Sequence, residues 1–252
     1  MALFGEIVEP VSRALYIDES SDEEDSQDLS TTKIPDIKWV DEAPTSIETL
    51  LVFHGHLATD FLLKVLEGSN SKSAAHLKEK ILYHGKRSLK ELNIFLYNIG
   101  HGIFGCLCPA VDIANSNEVV EKLLPVLNIT KRVVAIATIP APFFKGNDPT
   151  LDLPPAFMRM LYTSTFDTKD VIAPLLETPN MVTGVPASIL NWCEVFKKPG
   201  CLYVCYSDSD HLDSISGEPL VKIFSNVFEG LLESKILSFN SVGHESNSSL
   251  YM

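Results

Sequence analysis

Residues 132–139, Arg132 to Ile139 (RVVAIATI), are a near-continuous run of β-branched and small apolar side chains. A strand facing water on one side alternates apolar with polar residues. A run without alternation is expected where both faces are covered, as in the centre of a parallel sheet. Two similar runs stand on either side of it, Ile47 to Phe53 (IETLLVF) and Cys201 to Tyr206 (CLYVCY). Between and beyond them lie segments with helical spacing. Thr59 to Glu67 follows the turn His54-Gly55-His56, with Thr59 or Asp60 able to cap it. Asn117 to Asn128 (NEVVEKLLPVLN) carries Pro125, expected to bend or end the helix. Pro186 to Lys197 has proline in its first turn and Pro199-Gly200 to stop it. Gly217 to Leu237 reads as a last amphipathic helix, loosened at Gly230. Strands alternating with helices predict an α/β fold, a three-layer sandwich with a mostly parallel central sheet and helices on both faces.

The remaining segments read less regularly. Leu92 to Tyr97 and Ile103 to Cys108 are short apolar runs separated by Asn98 to Gly102, which has the chemistry of a hairpin or of a glycine-rich connection. Gly68 to Ser73 reads as a polar loop. From Pro140 to Pro155 repeated prolines and Gly146 predict a long irregular loop, with a short helix over Pro155 to Tyr162. Near the start, Leu3 to Val8 and Ala14 to Ile17 are apolar enough to add to the main body as an outlying strand or to lie along a partner.

At 252 residues the chain is long enough to bury a sizeable core, and one α/β domain accounts for it. No run of eighteen or more apolar residues is present to cross a bilayer, so no membrane insertion is expected. The N-terminus lacks a secretory pattern. A reducing, cytoplasmic location is expected, with the nucleus also open. The five cysteines fit it, since none lies in a zinc-like CxxC and those at 106, 108, 201 and 205 fall in strands, where cysteine behaves as a small apolar side chain. The net charge is −13, and Asp18 to Asp28 (DESSDEEDSQD) alone carries seven acidic residues and no basic one. That segment is expected to repel itself into disorder, and the sign of the charge argues against a nucleic-acid surface. Ser20 and Ser21 each precede an acidic residue by three positions, the spacing acidophilic kinases accept, although a solvating spacer explains the run as well.

Several constellations imitate an enzyme. His54, Asp208 and His244 occur in an order that suits an α/β-hydrolase or a relic of one, yet no glycine-x-serine-x-glycine elbow exists to supply a nucleophile. His54-x-His56 falls short of the three ligands of a catalytic metal site. Asp208 to Asp213 (DSDHLD) spaces carboxylates like a calcium loop but lacks the glycine at its sixth position and the closing glutamate. Gly100 to Gly105 matches neither a dinucleotide fingerprint nor a P-loop. Neither catalytic residues, nor a metal site, nor a cofactor is expected.

The last three residues, Leu250-Tyr251-Met252, follow a polar stretch, Ser238 to Ser249 (SFNSVGHESNSS). An apolar residue, a tyrosine and a terminal carboxylate on such a tether form a tip able to enter a pocket on another protein.

Three internal segments, Leu175 to Val182 (LLETPNMV), Val185 to Val195 (VPASILNWCEV) and Leu202 to Asp208 (LYVCYSD), resemble the proteasome assembly chaperone 1 family. Phe4 to Val8, the acidic run and the terminal tripeptide share the resemblance. It is densest over about 154–224 and carries little from 45 to 152. It implies a non-enzymatic chaperone of the 20S core particle, acting as a heterodimer with proteasome assembly chaperone 2 on the ring of α-type subunits. The same resemblance implies that the hydrophobic-tyrosine-x motif enters a pocket between α subunits. Leu250 would fill the apolar wall, Tyr251 would place its ring and hydroxyl, and the Met252 carboxylate would pair with a pocket lysine. The organisation expected is an apolar segment over 1–17, an acidic linker over 18–44, an α/β chaperone domain over 45–237 and a flexible tail over 238–252.

Overall fold

The structure, a computed structural model, describes residues 37–40, 42–69, 73–82, 89–108, 110–146 and 153–228, with backbone alone for 68, 69, 73, 77–82 and 89–92. In chain order its main elements are β1 (Lys38–Trp39), β2 (Ile47–His54), α1 (His56–Ser69), β3 (Ser73–Leu82), β4 (Leu89–Gly100), β5 (Ile103–Leu107), α2 (Ser116–Ile129), β6 (Thr130–Pro140), β7 (Ala156–Tyr162), α3 (Val185–Val195), β8 (Gly200–Ser207) and α4 (Glu218–Val227). The strands form one sheet in the order β1-β3-β4-β5-β2-β6-β8-β7. The four central strands are parallel, through β5 with β2, β2 with β6 and β6 with β8. The strands outside them pair antiparallel. The sheet is therefore mixed, with the parallel character concentrated where the sequence has its uninterrupted apolar runs.

Side-chain alternation divides those runs between two cores. Leu50 and Val52, Val133 and Ala135, and Leu202 and Val204 pack with α2 and α3 on one face. Leu51 and Phe53, Val134 and Ile136, and Cys201 and Tyr203 pack with α1 and α4 on the other. Burial of successive residues thus has a direct cause: each strand feeds two helix layers, which makes the fold a three-layer α/β sandwich. Two glycines permit close approaches. Gly55 has φ of 95°, and a Cβ there would lie 2.4 Å from Thr138 Oγ1, so the turn from β2 into α1 requires glycine on two counts. A Cβ on Gly200 would lie 2.9 Å from the Cβ of Cys193, so α3 rests directly on the start of β8.

Several local expectations change. Residues 156–162 are the antiparallel strand β7, not a helix, although alanine, methionine and leucine favour helix. Phe157 and Leu161 enter one core while Met158 and Met160 enter the other, and that two-sided burial against β8 outweighs propensity. Helix α2 runs through Pro125 to Ile129. Its buried Val126 and Leu127 hold the last turn on the core, while Glu121, whose carbonyl loses its helical donor, is on the exposed side. Helix α1 begins at His56, earlier than expected, and β1 joins the sheet upstream of residue 45. The hairpin turn between β4 and β5 is His101-Gly102, while Asn98 to Gly100 still belong to β4. The first part of the 140–155 loop is a 3-10 turn, Ala141–Phe143. Expectations for residues 1–36 and 229–252, including the end of the last helix, lie outside the described residues.

Candidate functional site

The terminal tripeptide Leu250, Tyr251 and Met252 and His244 fall outside the described residues, so the structure speaks only to the other candidates. His54 is the last residue of β2 and Asp208 the first after β8, which puts both at the carboxyl ends of the parallel strands with β6 between them. Burial lowers the pKa of His54, and its Nδ1 makes no hydrogen bond among the described residues. The Asp208 carboxylate is exposed, and its backbone N–H donates to the Pro155 carbonyl at 3.0 Å. His56 turns away from any joint site with His54 and meets Asp60 one helical turn on, Nδ1 to Oδ2 3.2 Å.

The acidic loop after β8 is a structural turn. The Asp213 carboxylate accepts from the backbone N–H groups of Ile215 at 2.9 Å and Ser216 at 2.7 Å, which pulls its pKa down and shapes the entry to α4. Among the described residues no group of three His, Cys, Asp or Glu is arranged to hold a metal ion. All five cysteines are buried thiols. Desolvation pushes Cys193, Cys201 and Cys205 up to about 12, far from the thiolate that reactivity needs. A groove of about 430 Å³ opens beside His56, Thr138, Ser207 and His211, at the carboxyl ends of β2, β6 and β8.

The more elaborate construction is on the opposite side of β8, along the edge strand β7. Arg159 is buried on β7 with its guanidinium 5.1 Å from the Phe144 ring centre and 5.2 Å from that of Phe157. Its Nε donates to Glu177 Oε2 at 3.0 Å and its Nη1 to the Met158 carbonyl at 3.2 Å. Asn180 then ties two loops together, accepting from Lys145 N at 2.8 Å and donating to the Lys145 carbonyl at 2.9 Å. The segment 174–176 lies against β7, since Met160 N donates to the Pro174 carbonyl and Leu176 N to the Met160 carbonyl, each at 2.9 Å. A groove of about 350 Å³ runs between β7 and α3, lined by Leu161, Tyr162, Val182, Ala187, Leu190 and Glu194. At its end the Glu194 carboxylate accepts from Ser164 N at 2.7 Å, Ser164 Oγ at 2.8 Å and Lys197 Nζ at 2.8 Å, which hold it ionised down to about 2.

Sequence reasoning assigned no role to this flank. The signal was present in Leu175 to Val182, whose apolar residues follow no period and so resemble ordinary loop. Only the fold shows that the segment is pinned while Met181 and Leu175 point outward.

Comparison with known proteins draws these observations together. The family model PAC1, described as proteasome assembly chaperone 4, matches residues 97–249, more than half of the chain. Proteasome assembly chaperone 1 of Homo sapiens is 43% identical over 83 residues, 32% of this chain and 28% of that protein. The Xenopus tropicalis protein of that name is 39% identical over 84 residues, 33% of this chain. The chain covers 29% of the length of that relative. The Nematostella vectensis protein of that name is 25% identical over 182 residues, 68% of this chain and 70% of the relative. Among crystal structures, Pyrococcus furiosus PbaB, an archaeal proteasome activator, superposes with a TM-score of 0.55 at 11% identity over 83% of this chain and 94% of that one. Pyrococcus furiosus PbaA, an archaeal homologue of proteasome-assembly chaperone, gives 0.53 at 12% identity over 82% and 93%. These likenesses concern the fold alone. With the family match spanning the sheet's β5 to β8, α2 to α4 and the segment beyond, the chain belongs to the proteasome assembly chaperone family.

Proposed function

We propose that this chain is a non-enzymatic chaperone of 20S proteasome assembly, acting as a heterodimer with proteasome assembly chaperone 2 on the ring of α-type subunits. The observation that carries the reading is the family match over 97–249. The buried, high-pKa thiols and the missing glycine-x-serine-x-glycine elbow favour it over a hydrolase. The reading places the chain in the cytoplasm, with the nucleus also open to it.

In this role the folded body holds the ring at one point and the C-terminal tip at another. Leu250 fills an apolar wall of a pocket between α subunits, Tyr251 places its ring and hydroxyl, and the Met252 carboxylate pairs with a pocket lysine. The tripeptide lies just beyond the matched residues, so its use rests on its chemistry and on the family. A polar tether such as Ser238 to Ser249 has a root-mean-square reach of roughly 20 Å. Linking two weak contacts in this way strengthens attachment by about a hundredfold or more without either being tight.

The test compares the full chain with one lacking residues 250–252 and one carrying a single alanine after Met252. Both changes should weaken binding to purified α-type subunit rings at least tenfold and leave thermal unfolding unchanged. Equal affinity of all three chains would remove the tail from the mechanism, and failure of the full chain to bind rings would remove the chaperone reading itself.

A further inference from the structure

We infer that the β7 flank, from Leu175 and Met181 across the groove to Val195 and Phe196, is the surface on which the companion chaperone docks; this rests on the chaperone reading above. Four of the ten exposed large apolar side chains among the described residues lie here. Leu175 is 54% exposed, Met181 81%, Val195 63% and Phe196 61%. They belong to one flank, because 174–176 is bonded to β7, Val182 and Glu194 line the same groove, and Ser164, just past the end of β7, is bonded to Glu194. With the groove between them they present on the order of 500 Å² of apolar surface, at the upper end of what a monomer carries. That is most of the roughly 800 Å² that one side of a stable interface buries.

The chemistry of the occupant follows from what the flank withholds. Two of its charged groups are matched internally, Arg159 by Glu177 and Glu194 by Lys197, so at these two points no unpaired charge faces a partner. Both backbone groups of Met160 at the middle of the edge strand are taken by Pro174 and Leu176, so an added β-strand has no continuous edge to pair with. What remains is packing of side chain on side chain against an apolar face. Long-lived subunit interfaces are of this apolar kind, whereas contacts that must later release, as a chaperone's with its ring must, are more polar. The loops are also set in advance, by the Asn180 to Lys145 bonds and by Phe196 packing on Trp192 at 4.8 Å between ring centres, so little ordering is lost on docking.

The experiment measures the affinity of the full chain for recombinant proteasome assembly chaperone 2, with Leu175→Glu, Met181→Glu and Val195→Glu made singly and Val40→Glu, beside β1 at the opposite edge of the sheet, as an exposed apolar control. Thermal unfolding of each free variant confirms that it folds; three separate sites keep the test alive if one does not. The expected result is a rise in Kd of tenfold or more for each flank variant and no change for V40E. Wild type binding the companion with all three flank variants binding equally well would overturn the assignment and leave the heterodimer standing. Loss of self-association or of α-subunit binding, with companion binding intact, would also overturn it by giving the flank another occupant. If the wild-type chain does not bind the companion at all, the heterodimer reading falls and this inference falls with it.

Discussion

Strands β2, β6 and β8 bury consecutive side chains on both faces, Leu50 to Phe53, Val133 to Ala137 and Cys201 to Tyr206. Strand β7, next to β8, carries a buried arginine and is bordered by a loop held through its polar atoms. The centre is held by apolar area shared between two helix layers, which is additive and tolerant of which apolar residue supplies it. The flank is held by the ion pairs of Arg159 and Glu194, two aromatic rings beside the Arg159 guanidinium and a few loop bonds, where each partner is needed by the next. Loss at the centre should unfold the domain as a whole, whereas loss at the flank should loosen two loops and leave the sheet intact.

The largest effect is expected at the centre. Ile136, fully buried in β6, loses both transfer energy and packing when cut to alanine, about 2–5 kcal/mol of global stability. Urea unfolding of I136A with an unchanged slope checks this, and a loss below about 1 kcal/mol would mean that the centre is not the tightly packed region. An intermediate effect is expected at Arg159. Replacement by methionine strands the Glu177 carboxylate and removes the cation between Phe144 and Phe157. The partly exposed Glu177 can rehydrate, so the loss should be about 1–3 kcal/mol, less than for a fully buried pair. Amide exchange should quicken over 141–146 and 174–182 and remain slow in β6 and β8; uniform acceleration would erase the contrast between the two regions.

The smallest effect concerns pH. Burial lowers the folded-state pKa of His54 below its ordinary 6.5, so the unfolded chain binds the proton first as pH falls. Its contribution is therefore fully present above pH 6.5 and is lost as pH falls from there through the folded-state value. His54→Gln should reduce the drop in urea midpoint between pH 7.5 and pH 5.5, while the drop caused by other groups persists. An identical drop in wild type and H54Q would show that the ring is open to water when protonated.

Much of the centre was legible because its signal is local. RVVAIATI and CLYVCY announce strands covered on both faces, and helical spacing in NEVVEKLLPVLN places α2 within a residue of its observed start. Of the antiparallel wings only the β4 to β5 hairpin was legible. Ser73 to Leu82 (SAAHLKEKIL) has helix-forming composition and alternates apolar with polar only over Ala75 to Lys78, and it becomes strand through its pairing with β4. Residues 156–162 mislead in the same way. The decoys also divide along this line: the missing nucleophile is visible in sequence, whereas the pairing of His56 with Asp60 and the turn bonds of Asp213 need coordinates.

By itself the sequence determined the α/β class, the buried central strands, the structural character of the cysteines and the family, because apolar periodicity and ordered motifs are properties of neighbours along the chain. The tertiary structure alone decided that the sheet is mixed, that β7 is a strand with Arg159 inside it, and that Leu175, Met181, Val195 and Phe196 share one outward flank. Those features depend on strand pairing and loop docking between residues far apart in sequence. A side chain's exposure is settled by what packs over it, and no local pattern records that.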